Sequence, residues 1–263
     1  PASAEISLAV AICVILLADV FMAPGVRRRV TPVLTLVALA VCAWLTATVG
    51  AVTERTVLFD GLYVADRLGT FLKLAAFLSV GLALFYSQAY LERRQIRGGE
   101  YQVLALTALL GICVLTAAGS LLTVYLGIEL LSLSLYALVA FDRDSGVAAE
   151  AAIKYFVLGA IASGILLYGM SMLYGLTGSL NLDQIATVNA AHGAGFVIAV
   201  TFIVVAVAFK FGAVPFHMWV PDVYSGAPVS VALLVSTAPK LASFALVMRL
   251  LVHGLGADPA LWV

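Results

Sequence analysis

The chain has 263 residues, of which 63% are hydrophobic and only 11% charged, and its mean hydropathy is +1.12. Soluble domains carry about 25% charged residues, so this composition excludes a soluble globular enzyme. Fourteen basic and 14 acidic side chains give a formal net charge of zero, which leaves no basic footprint for nucleic acid.

A membrane-crossing helix needs about 20 mostly apolar residues. By that rule eight spans are predicted, at 6–22, 32–52, 68–90, 102–119, 121–141, 151–174, 195–224 and 229–253. The fold class is therefore an all-α, polytopic transmembrane helix bundle. The first span reads as a retained helix rather than a signal peptide, because Arg27, Arg28 and Arg29 follow it instead of preceding it. The longest connections, 53–67, 91–101 and 175–194, are too short for a soluble domain.

Loop charge orients the bundle. Arg27, Arg28, Arg29, Arg93, Arg94, Arg97 and Arg143 fall on one side, against Arg55 and Arg67 on the other, with Arg249 near the end of the eighth span. Excess Lys and Arg mark the cytoplasmic face, so the N-terminus is expected on the outer face. Tyr90, Tyr101, Tyr174, Trp219 and Trp262 lie near predicted ends and read as interfacial anchors. Cys13, Cys42 and Cys113 sit singly in apolar runs, without metal-ligand or redox spacing, and read as core or lipid-facing residues. The Gly-Ala-Ile-Ala-Ser-Gly run at 159–164 follows no strand and reads as a close helix-packing face. No phosphate loop, haem-ligand pair, cysteine cluster or nucleophile elbow is present, so no redox chemistry, cofactor or metal is expected in the chain itself.

The seventh span is interrupted. Lys210 precedes a Gly212-to-Pro215 break, the chain resumes through Trp219, and the eighth span carries Pro239 and Lys240. Non-helical backbone at membrane depth persists only against protein or a wet cavity, so charges beside a break suggest an ion path. Glu129, near the middle of the fifth span, would cost on the order of 3 kcal/mol as a bare carboxylate. It must be protonated or paired. Lys210 is placed at the C-terminal end of a half-helix, where free carbonyls favour a cation. Lys240 lies where Pro239 frees a carbonyl around Val235 or Ser236.

Lys154, one turn after Glu150, is either local helix support or a charge acting on Glu129. His217, just past Pro215, is either a satisfied polar group or a relay member. Asp19 and Lys73, near span ends, are expected to snorkel or pair, and Asp222 to be a surface or capping group. One acid and several lysines at similar depth suit protonation-coupled charge movement, with Glu129 modulating Lys210 and Lys210 passing a proton to Lys240.

The runs YLGIELLSLSLYALVAFDRDS, EAAIKYFVLGAIASGILLYGMSMLYGLTGSL and AFKFGAVPFHMWVPDVYSGAPVSV…STAPK resemble the N-type membrane subunit of bacterial respiratory complex I, the NADH–quinone oxidoreductase. The resemblance covers the chain from about Leu62 onward. It implies an antiporter-like inverted-repeat fold, with residues 1–100 an N-terminal three-helix segment and 101–263 the first five-helix repeat. It implies a part in proton translocation coupled to quinone reduction. By position, Glu129, Lys210 and Lys240 match the glutamate of the fifth, the lysine of the broken seventh and the lysine of the eighth helix, and Lys154 matches a lysine of the sixth.

The resemblance further implies that NADH, FMN, iron–sulfur clusters and quinone belong to partner subunits. The expected partners are other membrane-arm subunits, the lipid bilayer, protons and water, in the bacterial inner membrane, with no nucleic acid. Subunits of this type have about fourteen helices in two inverted repeats. This chain stops after the eighth helix and opens on Pro1, so it is expected to be a partial chain, without the second repeat of the longer protein. Two alternatives stay open on the residues: a subunit of a multisubunit cation/proton antiporter, and a structural membrane scaffold with inert charges.

Overall fold

The computed structural model describes residues 1–50, 52, 54–94, 99–187 and 193–255, excepting the side chains of Pro24 and Arg28. Arg97 and Trp262 lie outside the described residues. The chain is helical along most of its length. In order come α1 (Ser3–Phe21), α2 (Pro24–Thr48), a hairpin of β1 (Thr56–Leu58) and β2 (Tyr63–Ala65), and α3 (Arg67–Arg93). Next are α4 (Glu100–Thr116), α5 (Leu121–Val139), α6 (Gly146–Thr177), the short α7 (Leu182–Thr187) and α8 (Ala194–Phe211). Then follow α9 (Trp219–Gly226), α10 (Val229–Leu246) and a π-helical extension, Val247–Gly254.

Among the described residues, seven helices are long and apolar enough to cross a membrane; the predicted fourth span is α4, which at Glu100–Thr116 is shorter. The shortening has a local cause. After Thr116 the backbone extends, Ala117 accepts a hydrogen bond from Val64 N–H at 2.7 Å, and Leu121 N–H bonds Leu180 O at 2.8 Å. Isolated bridges join Tyr63 to Ala118 and Ser120 to Asn181. The hairpin, this extended linker and α7 thus close one end of the bundle, here termed the capped end. The hairpin lies in the predicted 53–67 connection and its turn carries Gly61 at φ +90°.

α2 begins at Pro24, earlier than the predicted 32, because proline is favoured in the first helical turn. Arg27 and Arg29 are therefore on its opening turns rather than in a loop. Arg27 Nη1 lies 3.7 Å from Asp19 Oδ2, and Thr31 Oγ1–H donates to Asp19 at 3.0 Å. Asp19 is paired, as expected. So is Lys73, which forms a buried ion pair with Glu5 and donates to Tyr63 Oη at 2.9 Å.

Small residues set the helix spacings. A Cβ on Gly111 of α4 would lie 2.6 Å from Leu131 N, and one on Gly127 of α5 would lie 2.9 Å from Leu115 N. The two backbones approach through these reciprocal glycines, as small residues permit in lipid. Gly169 does the same between α6 and α8, where an added Cβ would lie 2.9 Å from Ala199 O. Cys42 and Cys113 are buried and Cys13 is exposed, all as free thiols.

Arg249, near the predicted end of the eighth span, is 5% exposed. The π-helical turn points its guanidinium inward, where it donates to Asp66 Oδ2 at 2.6 Å and Oδ1 at 2.8 Å. It also donates to Thr116 O at 2.9 Å through Nε and 2.6 Å through Nη2. Asp66 caps α3 through Gly69 N–H at 2.7 Å. Burial alone would raise the Asp66 pKa, but the Arg249 guanidinium outweighs it and holds the carboxyl below the usual range. This clasp ties α3, α4 and the end of α10 together, and so fixes the helix that carries Lys240.

Candidate functional site

Glu129 is half-buried on α5, two residues after the close-approach Gly127. Its carboxylate accepts a short hydrogen bond from Ser163 Oγ–H on α6. One turn further along α5, Ser132 is buried. Its hydroxyl donates to Ile128 O at 2.6 Å and accepts from Lys210 Nζ at 2.6 Å. Residues three apart share a helix face, so α5 presents Glu129 and Ser132 together toward α6 and α8. Among the described residues Glu129 and Lys210 form no direct salt bridge. Each charge is held by a serine, within the same small polar layer.

Lys210 sits in the last turn of α8, which ends where the sequence predicts. Gly212 takes the left-handed conformation, φ +71°, a usual helix terminator. Its N–H returns to Phe209 O at 3.0 Å and Ala213 N–H to Ala208 O at 2.9 Å. Helix ends leave carbonyls without partners, and two side chains from beyond the break meet them. Trp219 Nε1–H donates to Phe209 O at 3.0 Å. Lys240 Nζ donates to Phe211 O at 2.6 Å, and lies 5.6 Å from the centre of the Trp219 ring.

Lys210 is at the end of the half-helix as expected, and the two lysines take different partners. The half-helix carbonyl cap is Lys240, reaching across from α10, while Lys210 turns to Ser132. Lys240 meets Phe211 O rather than the carbonyls near Pro239. Locally, the Thr237 hydroxyl donates to Leu233 O at 2.9 Å and that of Ser243 to Pro239 O at 3.0 Å. Trp219 is no interfacial anchor. It is 3% exposed, because the break folds α9 back beneath α6, where a Cβ added to Gly226 would lie 2.6 Å from the Ala151 Cβ. Its ring stacks on Tyr155 at 4.7 Å and 19°. Tyr101 is likewise buried, donating to Ser230 O at 3.1 Å and lying 3.0 Å from Ser87 Oγ; it joins α3 and α4 to the start of α10. Tyr174 is exposed, as an anchor would be.

Lys154 meets Glu150 at 2.8 Å and Asp222 of α9 at 3.3 Å, all partly exposed. It gives local support and a cross-link from α6 to α9, and does not touch Glu129. Asp222, expected at the surface, is there as the partner of Lys154. His217 lies in the break, exposed, and among the described residues its side chain forms no hydrogen bond or ion pair. Of the 159–164 run, Gly159 is a packing face, since an added Cβ would overlap the Tyr136 hydroxyl. Ser163 has a different task as the partner of Glu129.

The structure thus gathers Glu129, Lys210 and Lys240 around the break, with Ser132, Ser163 and Trp219 as partners that the sequence did not single out. Ser132 could have been found from its spacing, three residues after the buried acid. Ser163 and Trp219 could not, because their contacts join different helices. No group of three or more His, Cys, Asp or Glu side chains is placed to hold a metal among the described residues. An acid–hydroxyl pair and a hydroxyl–amine pair, each at hydrogen-bond distance, can hold and share protons.

The family profile described as NADH:quinone oxidoreductase/Mrp antiporter, TM matches residues 118–260. NADH-quinone oxidoreductase subunit N of Thioalkalivibrio sulfidiphilus is 52% identical over 93% of this chain and 51% of the relative. The subunit of the same name from Herminiimonas arsenicoxydans is 49% identical over 100% of this chain and 54% of its own length. The chain spans about half the length of the curated relatives it matches. A chain of the respiratory complex I of Thermus thermophilus, solved with bound aureothin, is 32% identical with a TM-score of 0.77, covering 94% of this chain and 52% of that one. A chain of the Mrp complex of Dietzia sp. DQ12-45-1b has a TM-score of 0.81 at 20% identity, over 99% of this chain and 50% of that one. That likeness is one of fold.

Proposed function

Because this chain belongs to the NADH:quinone oxidoreductase/Mrp antiporter transmembrane family, we propose that it is the first half of an N-type membrane-arm subunit that translocates protons in step with quinone reduction. The observation that carries this reading is the break itself. Lys210 is held by Ser132 at 2.6 Å and Lys240 by the broken helix end at 2.6 Å, with Glu129 one turn from Ser132. The antiporter alternative shares the fold, but relatives near 50% identity bear the subunit N name.

In this reading Lys210 takes a proton from the arginine-rich, cytoplasmic end and hands it toward Lys240 through water. Glu129 modulates Lys210 as a nearby negative charge whose reach changes with the Ser163 bond. Residues 101–263 form the first repeat, beside the three-helix segment of 1–100. Lys154 and Asp222 mark the mouth at the open end, opposite the capped end, and His217 is a side station in the break. The chain performs no electron transfer. NADH, FMN, iron–sulfur clusters and quinone are held by partner subunits of the bacterial inner-membrane complex, and the N-terminus faces the periplasm.

The test is Lys210→Ala in the full-length subunit within the assembled complex. NADH-driven quinone reduction and proton uptake are measured together, after complex abundance is matched to wild type. A loss of coupled uptake is expected. Wild-type rates of both would overturn the reading and favour an inert scaffold.

A further inference from the structure

α5 carries a third polar group on the stripe of Glu129 and Ser132. Tyr136 lies seven residues after Glu129 and four after Ser132, which keeps it on the same helix face. It is 8% exposed, and its buried hydroxyl completes no hydrogen bond of normal geometry with the protein, the Ser132 hydroxyl being its near neighbour. A buried, unpaired hydroxyl is unfavourable, and phenylalanine would fill the same space without one. The site nevertheless makes room for the oxygen, because a Cβ on Gly159 of α6 would overlap the Tyr136 hydroxyl. The ring is held edge-on by Tyr155 at 4.7 Å and by Phe156 at 5.6 Å. Tyr155 is next to Lys154, whose ion pairs stand at the open end of the bundle. Tyr136 is thus the polar group between that end and Ser132.

Ser132 can receive what Tyr136 gives. A hydroxyl has one donor and two acceptor positions. The Ser132 donor goes to Ile128 O and one acceptor position holds Lys210, which leaves one acceptor position open. We propose that Tyr136 is a proton-relay residue between the Lys154 end of the bundle and the Ser132–Lys210 pair, an inference that rests on the proton-translocation reading above. When Lys210 is neutral, Ser132 turns its O–H from Ile128 O to Lys210 Nζ. The proton moves to the nitrogen, and Ser132 Oγ takes the Tyr136 proton, directly or through one water. Tyr136 Oη regains a proton from a hydronium at the Lys154 end, which leaves as water. The Ser132 and Tyr136 oxygens each break one O–H bond and form one, the hydronium gives up one, and the net transfer is a single proton to Lys210.

The experiment uses the full-length subunit in the assembled complex, with Tyr136→Phe and Lys210→Ala assayed side by side for NADH-driven proton uptake. Relay predicts about a tenfold fall in Tyr136→Phe, below the usual range for a positioned proton carrier because water offers a slower parallel route. Packing alone predicts the opposite sign, an unchanged rate with an equal or higher melting temperature. Loss in Lys210→Ala with wild-type uptake in Tyr136→Phe would overturn the relay and leave the broader reading standing. Wild-type uptake in both would overturn the two together. Should Tyr136→Phe fail to assemble, fluorotyrosine at position 136 keeps the shape and lowers the phenol pKa. A displaced pH–rate profile is then expected, and an unmoved profile would refute the relay.

Discussion

Ser132→Ala isolates the contact on which the proposed site depends. The substitution removes the hydroxyl that accepts Lys210 Nζ at 2.6 Å and leaves the Glu129–Ser163 bond in place. A hydrogen bond to a charged group contributes about 1.5–3 kcal/mol net. The lower middle of that range, a loss of about 2 kcal/mol, is taken for Lys210. That corresponds to about 30-fold in a step that requires the charged lysine at this position. The lost bond also lowers stability, and the better helix propensity of alanine offsets only a few tenths of a kcal/mol of it. Uptake is therefore compared at complex abundance matched to wild type, which separates function from folding. Ser132→Cys, with its weakly accepting sulfur, should lie between the two. The assay is NADH-driven acidification or uptake in proteoliposomes, normalised to quinone reduction. Wild-type uptake in Ser132→Ala would refute the claim that this hydroxyl holds the pumping lysine.

Other outcomes follow from the surrounding contacts. Arg249→Met leaves Asp66 without its partner and should cost about 3 kcal/mol, the lower end for breaking a buried pair, read as a lower denaturant midpoint of the solubilised protein. Adding Asp66→Asn should recover part of it. The clasp also has a pH signature. Asp66 is held below its ordinary pKa, so its contribution is fully present above the unfolded value of about 3.9 and disappears as pH falls through the folded value. Thermal stability should be level from about pH 7 to 5 on this account and decline below about pH 4, and Arg249→Met should show a smaller decline. Trp219→Phe keeps a ring beneath Lys240 but removes the donor to Phe209 O, a loss of about 1–2 kcal/mol at the break. Coupled uptake should drop with assembly retained, and an unchanged uptake would exclude Trp219 from positioning Lys240.

Much of this protein follows from its sequence by elementary physics. Lipid offers no hydrogen bonds, so long apolar runs can only become helices, and seven of the eight predicted spans are helices of membrane length. Gly212 and Pro215 end α8 where predicted, because glycine accepts the left-handed turn that other residues resist. Glu129, Lys210 and Lys240 were conspicuous for the same reason, since an uncompensated charge at such depth is too costly to be incidental. What each charge touches was decided by the tertiary structure. Local electrostatics favours a cation at the end of the half-helix, and Lys210 lies there, but its side chain reaches Ser132 of α5, and the Phe211 carbonyl goes to Lys240, 29 residues away in sequence. Trp219 and Tyr101 read as membrane-surface residues because they lie near span ends. The fold-back of α9 and the crossing of α3, α4 and α10 bury both. Hydropathy reports depth along one helix, whereas partners depend on the rotation and spacing of neighbouring helices. Here that spacing is set by glycines such as Gly111, Gly127 and Gly169, whose role appears only once the opposing backbone is in place.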